Sequence, residues 1–64
     1  MKNLKNLGSD EILIMEALGT GKEFTIEELS NTVGLPPSQV NGIVTILEVK
    51  GYLYNSLGKV FVAN

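Results

Sequence analysis

Five polar residues in the second half of the chain have side chains suited to contacting nucleic acid. Four fall on the outward face of one predicted helix and the fifth lies in the hairpin predicted after it: Ser38, Gln39, Asn41, Thr45 and Lys59. Glutamine and asparagine amides match the donor and acceptor of adenine, and lysine binds phosphate. An ordinary solvated helix face accounts for the same residue types. We take these five positions as candidate DNA-binding residues.

The composition excludes most catalytic chemistry. The chain has no cysteine and no histidine, which excludes the usual zinc sites, a thiol nucleophile and a Ser-His-Asp triad. The sequence also lacks a nucleophile–base pair and a glycine-rich loop that could hold phosphate. We therefore expect no catalytic residue, no metal and no cofactor, and a protein that is not an enzyme.

The charge balance opposes DNA binding. Lysines number five against seven acids, with no arginine, and the net charge is -2, so the positive field that draws a protein to phosphate is missing. The helix with the polar face has no basic residue before Lys50 at its far end. It therefore offers no bidentate guanine contact. Any DNA binding through this helix and hairpin should be weak.

A chain of 64 residues forms a single small core, because so short a chain buries only about 60% of its unfolded surface. We expect a linker or flexible tail over residues 1–8 and one folded domain over residues 9–64. No apolar run approaches the ~20 residues that span a bilayer, and the N-terminal residues lack the apolar segment of a secretory signal. A soluble, cytoplasmic protein without a membrane partner is expected.

The first predicted helix covers residues 10–18, with Ser9 as its N-cap and Gly19 as a left-handed stop. It has more apolar residues than one face of a small monomer can bury. The core face is assigned to Ile14, Met15 and Leu18. That assignment leaves Leu13 and Ala17 outside, either as an interaction surface or as scattered exposed apolar residues of the ordinary kind.

The second predicted helix covers residues 26–32 and begins with a capping box formed by Thr25 and Glu28. Gly34 ends this helix, and the Leu35 side chain is expected to close the following turn on its core side. The connection of three to four residues is typical of a helix-turn-helix. A short strand is predicted just before this helix, over residues 23–25.

The third predicted helix covers residues 37–50, with Pro36 at the N-cap and Pro37 at the first helical position, where the missing N–H is harmless. Val49 lies off its core stripe, so it either belongs to an interaction surface or packs under the hairpin. The residues expected to close the core are Val40, Ile43, Val44 and Leu47.

A β-hairpin is predicted from two β-prone runs, residues 52–55 and 59–63, joined by residues 56–58. Tyr52 and Tyr54 share a side of the first run, where paired aromatics either stack bases or pack against the domain. The elements together predict a mainly α fold with a β-hairpin. This is a winged helix-turn-helix of three helices with a two- or three-stranded wing.

Several segments resemble the C-terminal winged-helix domain of the DNA-processing protein A family, DprA, also called Smf. They are Gly34-Leu35, Val40-Asn41, Thr45-Ile46-Leu47-Glu48-Val49-Lys50-Gly51 and Gly58-Lys59-Val60-Phe61. The resemblance covers about Ser9 to Val62, and the Leu-Glu-aliphatic-Lys-Gly segment is its most specific part. It implies a bacterial protein that binds DNA taken up in natural transformation and helps to load a recombinase onto single strands.

The resemblance also implies further partners. The family's main work belongs to a Rossmann-like domain, so this chain would be an accessory domain excised from a longer protein. In such a protein the Rossmann-like domain, or a second copy of this chain, would cover the interaction-surface candidates Leu13, Ala17 and Val49.

Three functions remain open. The first is an accessory module that binds duplex or single-stranded DNA through the third helix and the wing. The second is a protein-interaction or self-association module that keeps the fold without significant DNA binding. The third is a stand-alone transcription regulator, which would need a dimer and more basic residues than this chain has.

Overall fold

The computed structural model describes residues 7–21 and 23–63. Its elements follow the order α1 (Ser9–Leu18), α2 (Ile26–Val33), α3 (Pro37–Val49), β1 (Leu53–Ser56) and β2 (Lys59–Val62). The two strands form one antiparallel sheet, so the described chain is mainly helical and compatible with a winged-helix layout. The first six residues of the predicted linker, together with Lys22 and Asn64, lie outside the described residues.

Helix α1 begins one residue earlier than predicted. Its N-cap is Gly8, with extended backbone, and the Gly8 N–H donates to Glu11 Oε1 at 2.8 Å. The prediction of Ser9 as N-cap is therefore wrong, because Glu11 reaches back three residues to Gly8. Leu7, just before the cap, is buried with the core, so residues 7 and 8 are part of the folded unit.

The prediction that Gly19 stops the helix is confirmed, but the left-handed conformation predicted for it is wrong. Gly19 keeps right-handed backbone, with φ -64° and ψ -9°, and its N–H donates to the Met15 carbonyl. The chain turns left-handed two residues later, at Gly21, where φ is 86°. Helix α1 therefore ends at Leu18 as predicted, and the left-handed turn follows at Gly21.

Helix α2 has the predicted capping box. The Thr25 N–H donates to Glu28 Oε1 at 2.9 Å, and the Glu28 N–H donates to Thr25 Oγ1 at 3.1 Å. The helix ends at Gly34, whose φ of 75° suits a residue without a Cβ. The buried Ser30 hydroxyl donates to the Leu35 carbonyl, which ties the following turn to α2.

Helix α3 starts as predicted, with extended Pro36 at the N-cap and Pro37 at the first position. It ends at Val49, with Lys50 as C-cap. Its inward residues Val40, Val44 and Leu47 are fully buried, while Ile43 is half-buried at the edge of the core.

The core lies where the three helices meet the hairpin. Ile14, Met15 and Leu18 of α1 are buried as predicted. Ala17 is not on the outside, because it is half-buried and packs against the core. The remaining buried apolar residues come from α2 and the two strands: Leu29, Leu53 and Val60.

The hairpin turns through two residues. Ser56 pairs with Lys59, and Leu57 and Gly58 between them have φ of 53° and 79°, which together define a type I′ turn. The short strand predicted at residues 23–25 is a single bridge. Phe24 and Val60 exchange two backbone hydrogen bonds, at 3.1 and 2.7 Å.

Candidate nucleic-acid interface

The outward face of α3 is open to solvent. Ser38, Gln39, Asn41 and Thr45 are all exposed, as the helical spacing predicts. Pro36 and Pro37 set the helix start, and the buried stripe on the opposite side fixes its rotation, so these polar residues project away from the core. Ser38, Asn41 and Thr45 share one side of α3, whereas Gln39 lies on the side that faces α1.

Two of these side chains are already hydrogen-bonded within the molecule. Gln39 Nε2 donates to Asp10 Oδ2 at 3.1 Å, and Thr45 Oγ1 donates to the Asn41 carbonyl at 2.9 Å. Reading a base with Gln39 would require this amide to leave Asp10. Ser38 and the Asn41 amide are the better placed of the four for an outside ligand.

Lys59, the fifth candidate, lies beside the start of α2 and apart from the α3 surface. It precedes Val60, which pairs with Phe24 just before α2. The pKa of Glu28 is lowered from 4.5, mainly by the Thr25 backbone N–H, then by the Thr25 hydroxyl, with a smaller contribution from the charge of Lys59. Lys59 is exposed, but its positive charge is partly offset by this neighbouring carboxylate.

The other lysine within the described ranges is also next to an acid. Lys50 Nζ lies 3.4 Å from Glu11 Oε2 across the α1–α3 boundary. The whole chain has seven acids against five lysines and a formal net charge of -2. The candidate interface therefore lies on an acidic molecule.

Several large apolar side chains are exposed. Val49 is 83% exposed, so it does not pack under the hairpin, and Leu13 is 43% exposed. Two further exposed apolar residues were not predicted from the sequence: Ile46, 51% exposed, and Leu57, fully exposed. Ile46 could have been found from its position one turn before Val49, off the buried stripe.

An open groove of about 490 Å³ lies between the start of α1 and the side of α3. Ile43 and Ile46 provide its apolar lining, and Asp10, Glu11 and Lys50 are among its polar residues. The sequence pattern did not predict this groove, because the groove forms where two helices that are far apart in the chain meet.

The aromatic pair on the hairpin differs from the one expected. Tyr54 lies opposite Phe61, with ring centroids 5.6 Å apart and planes tilted by 47°. Tyr52 is half-buried just before β1. The outer hairpin surface therefore presents Tyr54 and Phe61.

No cluster of three potential metal ligands occurs among the residues that the structure describes. None of the helices within those residues is long and apolar enough to cross a membrane. Comparison with protein-family models, with curated proteins and with solved structures finds no match to this chain.

Proposed function

We propose that this chain is an accessory winged-helix module of a DNA-processing protein, binding DNA weakly through α3 and the hairpin. The observation that supports this most is the exposed polar surface of α3, the second helix of a helix-turn-helix with a capped α2 and a left-handed turn at Gly34. In DNA-binding proteins of this class the second helix enters the major groove.

The larger biological role rests on the sequence resemblance. In that role the module belongs to a cytoplasmic bacterial protein that takes part in DNA uptake and recombinase loading. A Rossmann-like domain of the same protein would carry the main activity, and this module would add a second, weaker DNA contact.

The contact chemistry follows from the exposed residues. Asn41 offers an amide to adenine, Ser38 offers a hydroxyl to a base or phosphate, and Lys59 offers a charge to the backbone. The net charge of -2 opposes all three contacts. The proposed binding is therefore weak and confined to low salt.

A protein-interaction or self-association module is the second candidate function. The exposure of Val49 and Ile46 on an acidic molecule favours it, because apolar side chains on a surface lacking positive charge suit a protein partner better than DNA. A stand-alone transcription regulator has less support, since the chain has five lysines, no arginine and a net charge of -2.

An NMR titration separates the two functions. ¹⁵N-HSQC spectra would be recorded with short duplex and single-stranded DNA at low salt, then at raised salt. Shifts at residues 38–45 and at Lys59 that vanish with salt support the DNA-binding module. The absence of chemical-shift changes with both DNA forms at low salt would overturn the DNA-binding proposal.

A pair of asparagine variants tests base contact. Asn41→Ala on α3 is compared with Asn31→Ala, an exposed asparagine of α2. The DNA-binding proposal predicts that only the Asn41 variant weakens binding, by about tenfold for the loss of one good base contact. Equal affinities for the two variants would remove α3 as the contacting surface.

A further inference from the structure

Helix α3 presents an uncharged stripe between the polar candidates and the groove. Gly42, Ile46 and Val49 lie along it at three- and four-residue spacing. A Cβ at Gly42 would meet no heavy atom within 4 Å, so a neighbouring backbone can approach closely there. Ile46 and Val49 are half and almost fully exposed.

The groove between α1 and α3 runs directly beside this stripe. Ile46 belongs to both, and Val49 stands one helical turn further along. The same surface therefore has a projecting apolar side chain and an apolar recess. A surface that has both a projection and a recess can be complementary to itself under a two-fold axis.

We propose that a second copy of this chain covers this surface, with the two α3 helices antiparallel and Gly42 of each opposite Ile46 of the other. In this arrangement Val49 of each copy lies over Gln39 of the second copy and enters its groove against Ile43. The proposal rests on the second candidate function, the interaction module, and names its partner and surface.

Charge complementarity at the two ends of the stripe favours a second copy at this surface. Five of the seven acids do not line the groove and would repel another copy of the same acidic chain, whereas Asp10 and Glu11 lie in the groove beside Lys50. The stripe itself carries no charge, and Lys50 at its end would lie opposite Ser38 of the second copy, close to the Asp10 that binds Gln39. The two-fold axis repeats this lysine–aspartate contact, so the charges at both ends are complementary.

The association should be weak. A stable interface covers about 800 Å² on each partner, which is about a fifth of the 4036 Å² exposed on the described chain. One helix surface and its groove supply less than that. The dimer should therefore appear only as a concentration-dependent equilibrium.

Sedimentation equilibrium and ¹⁵N-HSQC spectra of the full chain without DNA, over a wide concentration range, test the proposal. The expected result is a rising average mass, with shifts at Gln39, Ile43, Ile46 and Val49. Val49→Asp should remain monomeric. Leu57→Asp, which removes a fully exposed apolar residue on the hairpin, should associate like the wild type.

A charge exchange tests the orientation. Lys50→Glu and Asp10→Lys should each weaken association by about fivefold, as expected for two symmetric surface ion pairs, and the double variant should restore it. Circular dichroism would establish that each variant is folded.

A wild-type chain that stays monomeric throughout, or equal losses for Val49→Asp and Leu57→Asp, would overturn the dimer. A double variant without restored association would overturn the antiparallel orientation. None of these results decides whether DNA binds, because the DNA titration is a separate measurement.

Discussion

At the scale of single residues, the Glu28 carboxyl makes the stability of the α2 capping box depend on pH. Hydrogen bonds from Thr25 and the charge of Lys59 lower the pKa of Glu28 below 4.5. A carboxyl whose pKa is lower in the folded state stabilises the fold above its unfolded pKa. That contribution is lost as the pH falls through the folded-state value.

Replacing Glu28 with glutamine keeps an acceptor for the Thr25 N–H and removes the ionisation. We expect the wild type to be more stable than Glu28→Gln at pH 7, with the difference shrinking below about pH 4.5. Urea unfolding at several pH values between 7 and 3 measures it. A difference that does not change with pH would contradict the charge-assisted cap.

Thr25 is the other half of the capping box. Thr25→Ala should lower the free energy of unfolding by about 1 kcal/mol, because it leaves the Glu28 N–H without its side-chain acceptor. Thr32→Ala, at an exposed threonine of the same helix, should change it by less than about 0.5 kcal/mol. If urea unfolding gave equal losses of unfolding free energy for Thr25→Ala and Thr32→Ala, the loss in Thr25→Ala would not be due to the cap.

Leu57 occupies the first position of the hairpin turn in left-handed backbone, with φ 53°, and its side chain is fully exposed. Asparagine is favoured at this position of a type I′ turn. Leu57→Asn should therefore stabilise the domain by about 1 kcal/mol. Thermal and urea unfolding measure the change, and a loss of stability would indicate that Leu57 makes a contact the fold needs.

At the scale of elements, the rotation of α3 decides which residues are core and which are surface. Leu47 is fully buried, and its neighbour Ile46 is half-exposed. Leu47→Ala should cost about 2–5 kcal/mol, against the roughly 3–5 kcal/mol that a core of this size supplies. We expect this variant to be largely unfolded by circular dichroism, whereas Ile46→Ala should remain folded.

The same rotation gives α3 one outward surface for both proposed partners, DNA and a second copy of the chain. The outward side of α3 carries the polar Ser38, Asn41 and Thr45 together with the apolar Ile46 and Val49. DNA and a second copy would therefore compete for this helix, so added duplex should reduce self-association if both proposals hold.

At the scale of the whole molecule, charge limits DNA affinity. Each phosphate contact contributes about -0.9 to the slope of log affinity against log salt. With Lys50 and Lys59 as the cations of the described residues, we expect a slope no steeper than about -2. Fluorescence anisotropy at several salt concentrations measures it. A steeper slope would require contacts from Lys2, Lys5 or Lys22.

Much of the local structure could be predicted from the sequence. The Thr25–Glu28 capping box, the prolines that start α3 and the buried stripes of α1 and α3 depend on residues within a few positions of one another. Their hydrogen bonds and periodicity are local, so residue types and spacing carry the information. The exposure of Ser38, Gln39, Asn41 and Thr45 followed from the same periodicity.

The candidate site depended more on tertiary structure. The Gln39–Asp10 and Lys50–Glu11 contacts join residues 29 and 39 positions apart, and the groove forms only where α1 packs on α3. Whether Val49 lay under the hairpin was decided by tertiary packing, which leaves this side chain 83% exposed. Sequence by itself determined the elements and their buried stripes, because these need only near neighbours. Only tertiary packing decided which polar side chains are hydrogen-bonded or ion-paired within the molecule and which apolar side chains are left exposed.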